Sequence, residues 1–155
     1  MEQTIATLID TMISEGASDI HFSVAMKPLL RVNGELIEVT NGPILDAAGI
    51  QSILSILAGE RVYKKFIETN EADFAYTHKN NYRLRGNAFT QKGMPSFTLR
   101  LIPEVKTLKD LQLPPAIENF AMARQGFFLV VGPVGQGKST TLASMVEIIN
   151  TKRAA

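Results

Sequence analysis

A run of eight residues near the end of the chain has the composition and spacing of a loop that binds phosphate groups. It reads Gly-Pro-Val-Gly-Gln-Gly-Lys-Ser from Gly132 to Ser139, a complete G-x-x-x-x-G-K-S pattern. Its glycines let the backbone fold tightly with N–H groups pointing inward, where bulky side chains would block phosphate oxygens. Lys138 offers a mobile positive charge for the β- and γ-phosphates, and the Ser139 hydroxyl is placed to bind Mg²⁺. The run therefore predicts a site for a nucleoside triphosphate and its magnesium ion.

The segments on either side of this loop have the patterns that a phosphate loop requires. Residues 127–131 run apolar without alternation, which predicts a parallel strand covered on both faces. The helix after the loop should add its positive dipole end to the site, and its apolar stripe consists of Leu142, Met145, Val146 and Ile149. The loop pattern itself does not distinguish ATP from GTP, because both carry the same phosphate groups. A motif that recognises guanine would lie further downstream in the sequence. The residues predicted to hold the nucleotide are Gly132, Gly135, Gln136, Gly137, Lys138, Ser139 and Thr140, with Ser139 as the metal ligand.

The first 68 residues predict three helices and three strands. Apolar residues at helical spacing predict an opening helix that stops at Gly16. Residues 19–24 alternate apolar and polar side chains, which indicates a half-buried strand. Asn33-Gly34 is flanked by apolar runs at 29–32 and 36–39 and predicts a hairpin with a type I′ turn. A second helix capped by Asp46 should end at Gly59, and a short third one should follow over about residues 60–68.

Residues 73–102 predict a meander of three antiparallel strands with turns at 79–81 and 92–93. Mixed strands and helices make residues 1–102 a small α+β domain whose sheet has one polar face. Composition changes at Pro103, so residues 103–114 are interpreted as a linker and residues 115–155 as part of a second domain. Pro115 suits the first turn of a helix that carries Ile117, Phe120 and Ala121 inward.

Composition limits the classes of function that the chain can serve. A formal net charge of +1 gives no overall basic field, so a nucleic-acid partner gains no support. The absence of cysteine excludes disulfides and thiolate metal sites. The first residues lack the basic start and apolar run of a signal peptide, and no stretch approaches a membrane span. We therefore expect a cytoplasmic protein without direct membrane insertion, linked to a membrane only through partners.

Hydrolysis requires more groups than the phosphate loop supplies. A second acidic residue on a following strand normally holds Mg²⁺, and a further group positions the attacking water. After Ser139 the sequence predicts no second strand, and Glu147 is expected on the solvated side of the helix. The expectation is that this nucleotide-binding domain is incomplete, and that the chain alone binds ATP weakly without hydrolysing it.

Five short motifs in this order resemble those of the type IV pilus retraction ATPases, over essentially all 155 residues. They are Ala17-Ser-Asp-Ile-His21, Arg31-Val-Asn-Gly34, Arg85-Gly-Asn-Ala-Phe89, Leu99-Arg-Leu-Ile-Pro103 and Gly132 to Leu142. The resemblance implies a PAS-like N-terminal domain followed by the start of an α/β RecA-like P-loop domain. It also implies a hexamer that uses ATP and Mg²⁺ to power pilus retraction and twitching motility at the inner-membrane face, on a platform protein. Gln136 departs from the family pattern, in which Ser is common.

The resemblance further implies roles for two arginines on neighbouring strands. Arg85 and Arg100 correspond to N-domain arginines that reach the ATP phosphates when the two domains close, and so join Lys138 as catalytic residues. The alternative is that both are solvated sheet surface, as charged strand faces usually are. Asp19 and His21 share a face and could form a structural hydrogen-bonded pair or a packing contact. Arg83 is interpreted as ordinary surface.

Other functions remain open at this point. Within the motor class, the alternatives are a type IV pilus assembly ATPase and a type II secretion ATPase. Those relatives commonly carry longer N-terminal regions, whereas this chain begins almost at the Ala17–His21 motif, which favours retraction. Outside that class, the alternative is a nucleotide-binding assembly module that does not hydrolyse.

Overall fold

The structure is a computed structural model that describes residues 2–153, except for the side chain of Glu2. The chain divides into two compact units, of which the first ends at Pro103 and the second begins at Glu104. The first unit is an α+β domain built on a single six-stranded antiparallel sheet. No helix among residues 2–153 is both long enough and apolar enough to cross a membrane.

The two helices of the first unit form where the apolar periodicity predicts them. Helix α1 spans Glu2–Ser14, and helix α2 spans Ala47–Thr69 with an interruption at Gly59, whose φ of 75° and ψ of 163° are not helical. The Asp46 carboxylate accepts a hydrogen bond of 2.7 Å from the Gly49 amide, which confirms the predicted N-cap. The break at Gly59 divides α2 into the longer and shorter helices that the sequence predicts.

The six strands pair in the spatial order β3-β2-β1-β6-β5-β4. Their bounds are β1 Asp19–Ser23, β2 Leu29–Val32, β3 Glu35–Glu38, β4 Glu71–Thr77, β5 Arg83–Gln91 and β6 Met94–Ile102. Asn33 and Gly34 both have positive φ, so the β2–β3 hairpin turns as the Asn-Gly dipeptide predicts. Strand β1 pairs with β6, which joins the N-terminal hairpin to the C-terminal meander in one sheet.

One face of the sheet is covered by both helices and holds the core of the unit. Helix α2 packs on β4, β5 and β6, while α1 packs on β1 and α2. Phe22 and Phe97 lie directly opposite each other on β1 and β6 and stack with ring centroids 4.4 Å apart. Gly86 is required at its position because a Cβ there would lie 2.1 Å from the ring of Phe74 on the next strand. Because the helices cover one face only, the opposite face is left to polar side chains.

A hydrogen bond between Asp10 and His78 fastens α1 to the far end of β4. The buried His78 ring meets the Asp10 carboxylate at 2.8 Å, and Lys79 lies 3.7 Å from the second carboxylate oxygen. These interactions, with the His78 hydrogen bond foremost, lower the pKa of Asp10 below its usual value.

Over residues 104–153, the second unit contains two helices and the loop between them. Helix α3 spans Ala116–Met122 and helix α4 spans Lys138–Lys152. The Arg153 guanidinium donates hydrogen bonds to the carbonyls of Met122 and Ala123. These carbonyls lie at the C-terminal end of α3, where helix carbonyls have no intrahelical partner. Of the segment interpreted from sequence as a linker, residues 103–114, all but Pro103 lies inside this unit, where Leu108 is buried and the Lys106 carbonyl accepts a hydrogen bond from Ser144.

The strand predicted for residues 127–131 is absent, and this prediction is wrong for the described structure. Phe127 is 98% exposed, and Leu129 and Val131 are also exposed. A strand requires a neighbouring strand for its ladder of hydrogen bonds, and within residues 2–153 none pairs with this segment. Among the described residues, the apolar run therefore has no strand to pair with.

Three side chains that the sequence places on buried helix faces are exposed instead. Phe120 of α3 lies largely in solvent and stacks on Phe128 at 5.2 Å, and Leu142 and Val146 of α4 are also exposed. Met145 is buried as expected. An amphipathic stripe becomes buried only where another element covers it, and the described residues of this unit cover only part of α4.

Candidate functional site

The phosphate loop has the backbone geometry that its glycines predict. Gly132, Gly135 and Gly137 have φ values of 152°, 84° and 76°, which other residues rarely adopt. Gly137 is the N-cap of α4 and has no side chain to bond the helix's first amides. The first-turn N–H groups of a helix have no intrahelical partners, so they remain available to an anion.

Lys138 and Ser139 lie at the start of α4, beside a cavity of about 330 Å³. The Lys138 ammonium donates a 2.6 Å hydrogen bond to the Pro133 carbonyl, which holds the charge close to the loop backbone. Ser139 Oγ donates no hydrogen bond to any residue from 2 to 153. The cavity is lined by Val134, Gly135, Gly137, Lys138, Ser139 and Thr140.

This loop fits the phosphate groups of a nucleotide and an associated Mg²⁺. Free helix amides, an ammonium group and a hydroxyl lie around one open cavity, and no Cβ on Gly135 or Gly137 narrows it. Five of the predicted binding residues line this cavity, whereas Gly132 and Gln136 do not. Gly132 instead approaches the Gln136 side chain, since a Cβ on it would lie 3.9 Å from the Gln136 Cβ.

The polar face of the first unit's sheet carries the two arginines in a shallow groove of about 430 Å³. Strand register places Arg31, Asp19, Arg100 and Arg85 side by side along one row, with Asp19 between Arg31 and Arg100. The neighbouring row along β1, β6, β5 and β4 contains His21, Thr98, Asn87 and Asp73. Both rows cross the strands at right angles, so residues that are far apart in sequence become neighbours.

Asp19 is the buried charge of this groove, with only 2% of its surface exposed. Its Oδ1 accepts a 2.7 Å hydrogen bond from Arg100 Nε, and its Oδ2 accepts one of 2.7 Å from Ser18 Oγ. Arg31 Nε lies 3.7 Å from Oδ2. Burial alone would raise the pKa of Asp19, but the hydrogen bonds from Ser18 and Arg100, and the Arg100 charge, lower it below its usual value. Asp19 is therefore a carboxylate at neutral pH.

Arg85 and Arg100 lie directly opposite each other on β5 and β6. Like charges in such a pair repel, and each guanidinium is bound to a different carboxylate. Arg85 Nη2 donates to Asp73 Oδ1 at 3.2 Å, diagonally across β4 and β5. The expectation that both arginines share one sheet face is met by this register.

His21 does not bond to Asp19, so the hydrogen-bonded pair considered from sequence is not formed. His21 Nδ1 is 3.0 Å from Thr98 Oγ1, and its Nε2 is buried without a partner among residues 2–153. Burial and the nearby Arg31 charge lower the pKa of His21, so the ring is neutral at neutral pH.

The sequence interpretation missed the carboxylates that partner the arginines. From sequence, Asp73 is only the first residue of the predicted meander, and Asp19 is compared with His21 rather than with Arg100. Strand alternation puts Asp73 on the same face as Glu71, and both line the groove. That alternation was the available signal, but the cross-strand register that selects the partners is not visible in sequence.

Comparisons with known proteins agree with the fold. The chain is 32% identical over 150 residues to the type IV pilus retractation ATPase PilT of Pseudomonas aeruginosa, covering 96% of this chain and 43% of the relative. It is 31% identical over 140 residues to the type IV pilus ATPase PilU of the same organism, covering 90% of this chain and 36% of that protein. A crystal structure of the pilus retraction motor PilT with bound ADP superposes with a TM-score of 0.79 at 32% identity. That superposition covers 94% of this chain and 43% of the solved one.

The match to known proteins extends along the whole chain. The chain spans less than half the length of these relatives. The model of the family described as type II/IV secretion system protein matches residues 1–155. The chain therefore belongs to the type II/IV secretion system protein family, and its relatives include type IV pilus ATPases.

Proposed function

We propose that this chain is the nucleotide-binding part of a hexameric P-loop ATPase that powers type IV pilus retraction and twitching motility. The first unit is a PAS-like domain, and the second is part of a RecA-like ATPase domain. ATP with Mg²⁺ is the nucleotide. The complete protein acts in the cytoplasm, at the inner-membrane face, through a pilus platform protein.

The geometry of the phosphate loop carries this proposal. Three glycines at positive φ lead into the uncapped first turn of α4, with Lys138 and Ser139 beside one cavity. Helix amides and a nearby ammonium make an anion site that suits the β- and γ-phosphates. The relative whose structure superposes at a TM-score of 0.79 was solved with ADP, which supports an adenine nucleotide.

Each site residue has a distinct part in this function. Amides of the loop and of the first turn of α4, at Gly135, Gly137 and Thr140, bind phosphate oxygens. Lys138 neutralises charge that builds up on the β- and γ-phosphates during transfer, and Ser139 ligates Mg²⁺. Gly132 and Gln136 shape the loop without lining its cavity.

Arg85 and Arg100 supply further positive charge to the phosphates of a bound nucleotide. Positive charge is most effective where negative charge develops in the transition state, which is how arginine fingers act. Both side chains are largely exposed, so an anion can reach them. Because the two arginines lie directly opposite each other on β5 and β6, two positive charges are close together in the groove.

Isothermal titration with MgATP tests the binding part of the proposal. We expect Lys138→Ala to weaken ATP affinity by about tenfold or more, because a hydrogen bond to a charged group contributes about 1.5–3 kcal/mol. Titration with MgGTP on the same preparation measures the base preference, which we expect to favour ATP.

The control is Lys109→Ala, which removes an exposed lysine of the same unit that does not line the loop cavity. It should bind ATP as the unaltered chain does. Equal ATP affinity for the Lys138→Ala variant and the unaltered chain would contradict the assignment of the loop. Circular dichroism of both variants verifies that the helices are retained.

Assembly is tested separately with the complete natural protein. Mass photometry in the presence of MgATP should show a particle with six copies if the hexamer proposal is correct. A particle that remains monomeric at micromolar concentration would contradict it, without bearing on nucleotide binding by the loop.

A further inference from the structure

The two arginines of the polar groove are held by different edges of their guanidinium groups. Arg100 is bound at Nε, the nitrogen nearest the chain, by Asp19 at 2.7 Å. Arg85 is bound at a terminal nitrogen, Nη2, by Asp73 at 3.2 Å. Within residues 2–153, neither terminal nitrogen of Arg100 donates a hydrogen bond. Among the described residues, both terminal nitrogens of Arg100 are therefore free, whereas one of the two terminal nitrogens of Arg85 is occupied by Asp73.

The two carboxylates also differ in how firmly they are fixed. The Asp19 side chain is 3% exposed and has a second hydrogen bond from Ser18, whereas the Asp73 side chain is 56% exposed. A buried carboxylate that accepts two hydrogen bonds holds its partner in one orientation. The two side chains of an exposed ion pair readily exchange their contact for contacts with water. Arg100 is thus anchored at its inner edge although its side chain is 69% exposed.

We propose that Asp19 is a positioning residue that holds Arg100 by its Nε edge and presents the two terminal nitrogens to phosphate groups of a bound nucleotide. This inference rests on the proposed function, which supplies the nucleotide. Two parallel N–H groups of one guanidinium match two oxygens of a phosphate. Fixing the side chain before the ligand arrives lowers the entropy lost when the contact forms.

Asp73 has the opposite role at Arg85. Its carboxylate occupies the terminal nitrogen that a phosphate would otherwise contact, so it competes with the ligand. Removing the Asp73 charge should therefore leave phosphate contacts unchanged or strengthen them. Substituting Asp19 should therefore weaken the arginine contacts with phosphate, whereas substituting Asp73 should not. Each substitution serves as the control for the other.

The first experiment measures the anchoring of Arg100 in the 155-residue chain without nucleotide. Nitrogen-15 NMR resolves the Nε–H signals of arginine side chains, and Arg100→Lys identifies the Arg100 signal. We expect this hydrogen to exchange slowly with water, and to exchange several-fold faster in Asp19→Asn. Asp73→Asn should leave it unchanged. An Arg100 signal that is the same in Asp19→Asn and in the unaltered chain overturns the proposal.

The second experiment measures ATP turnover by the complete natural protein. Asp19→Asn should lower kcat on the order of tenfold to a hundredfold, because a misplaced catalytic group has effects of that size. KM for ATP should change by less than about twofold, since the contact develops with the transition state. Asp73→Asn should retain or raise kcat.

A double-variant comparison separates positioning from a general structural role. In a protein that already carries Arg100→Ala, Asp19→Asn should cause no further loss of kcat, because the two changes remove the same contact. An equal loss in both backgrounds, or an unchanged kcat in Asp19→Asn alone, overturns the proposal. Should Asp19→Asn fail to fold, Ser18→Ala removes one hydrogen bond of the carboxylate and is judged by the same readouts, with smaller changes expected.

Failure of the proposed function gives a different result. If Lys138→Ala leaves ATP affinity unchanged, the nucleotide assignment fails, while the NMR measurement still decides whether Asp19 anchors Arg100. If Lys138→Ala abolishes ATP binding but Asp19→Asn leaves kcat unchanged, the loop assignment holds and the positioning role is wrong.

Discussion

The charge of Asp19 should stabilise the first unit, and Asp19→Asn measures by how much. Asparagine keeps the size and one acceptor oxygen of the side chain but loses the negative charge. The 2.7 Å hydrogen bonds from Arg100 and Ser18 go to different oxygens of the carboxylate, so in Asp19→Asn one of them loses its acceptor and the other loses the negative charge of its acceptor. Each such change costs about 1 kcal/mol, so we expect the free energy of unfolding to fall by about 2 kcal/mol at pH 7.

The stabilisation should depend on pH in a defined direction. The pKa of Asp19 is lowered in the folded chain, so its contribution is complete above the unfolded value of about 3.9. It is lost as the pH falls through the folded pKa. The difference in unfolding free energy between the unaltered chain and Asp19→Asn should therefore be constant above about pH 5 and shrink below about pH 4.

Tyrosine fluorescence during urea unfolding measures this difference in the first unit alone. The chain has three tyrosines and no tryptophan, and Tyr63, Tyr76 and Tyr82 all precede Pro103. Asp73→Asn is the control, because its exposed ion pair should contribute less than about 1 kcal/mol. A difference below about 0.5 kcal/mol at pH 7, or one that persists unchanged at pH 3, would refute this account of Asp19.

Four further substitutions test the fold and the site. Gly86→Ala should lower the free energy of unfolding by about 1–3 kcal/mol, since its Cβ would lie 2.1 Å from the buried Phe74 ring, and urea unfolding measures this. Asp46→Ala removes the 2.7 Å N-cap bond of α2 and should cost about 0.5–2 kcal/mol in the same assay. Arg85→Ala and Arg100→Ala in the complete protein should each lower ATP turnover more than ADP affinity, as steady-state rates and ADP titration will show.

Each of these substitutions has a specific result that would contradict its explanation. Asp46→Asn retains the capping oxygen and should be close to the unaltered chain, so equal losses in Asp46→Asn and Asp46→Ala would exclude the cap as the cause. A Gly86→Ala chain of undiminished stability would mean that the Phe74 ring moves aside without cost. Unchanged ATPase rates in both arginine variants would return Arg85 and Arg100 to ordinary solvated surface.

Local features of the fold could be predicted from the sequence because short segments determine them. Asn33-Gly34 specifies its turn through positive φ, and Asp46 specifies a helix start through one hydrogen bond three residues away. The phosphate loop is similar, because its glycines and Lys138 act within a single run of residues. These elements depend on neighbours in the chain and need no partner from elsewhere.

Residues 127–131 show the limit of such reasoning. Their composition is that of a buried strand, but composition supplies neither a pairing strand nor a covering layer. Apolar character predicts burial only when another element is present to bury it. Phe120 is exposed for the same reason.

The arrangement of the polar groove was decided by tertiary structure. Alternation along each strand predicted from sequence that Arg85 and Arg100 face the same side of the sheet. Only the pairing of β1 with β6 brings Asp19 to Arg100, across 81 residues of chain, and only the β4–β5 register brings Asp73 to Arg85. A strand can slide by two residues without changing which side chains face the core, so alternation fixes the face but not the partner. The sequence thus determined which side chains share the polar face of the sheet, and the sheet register decided which carboxylate holds each arginine.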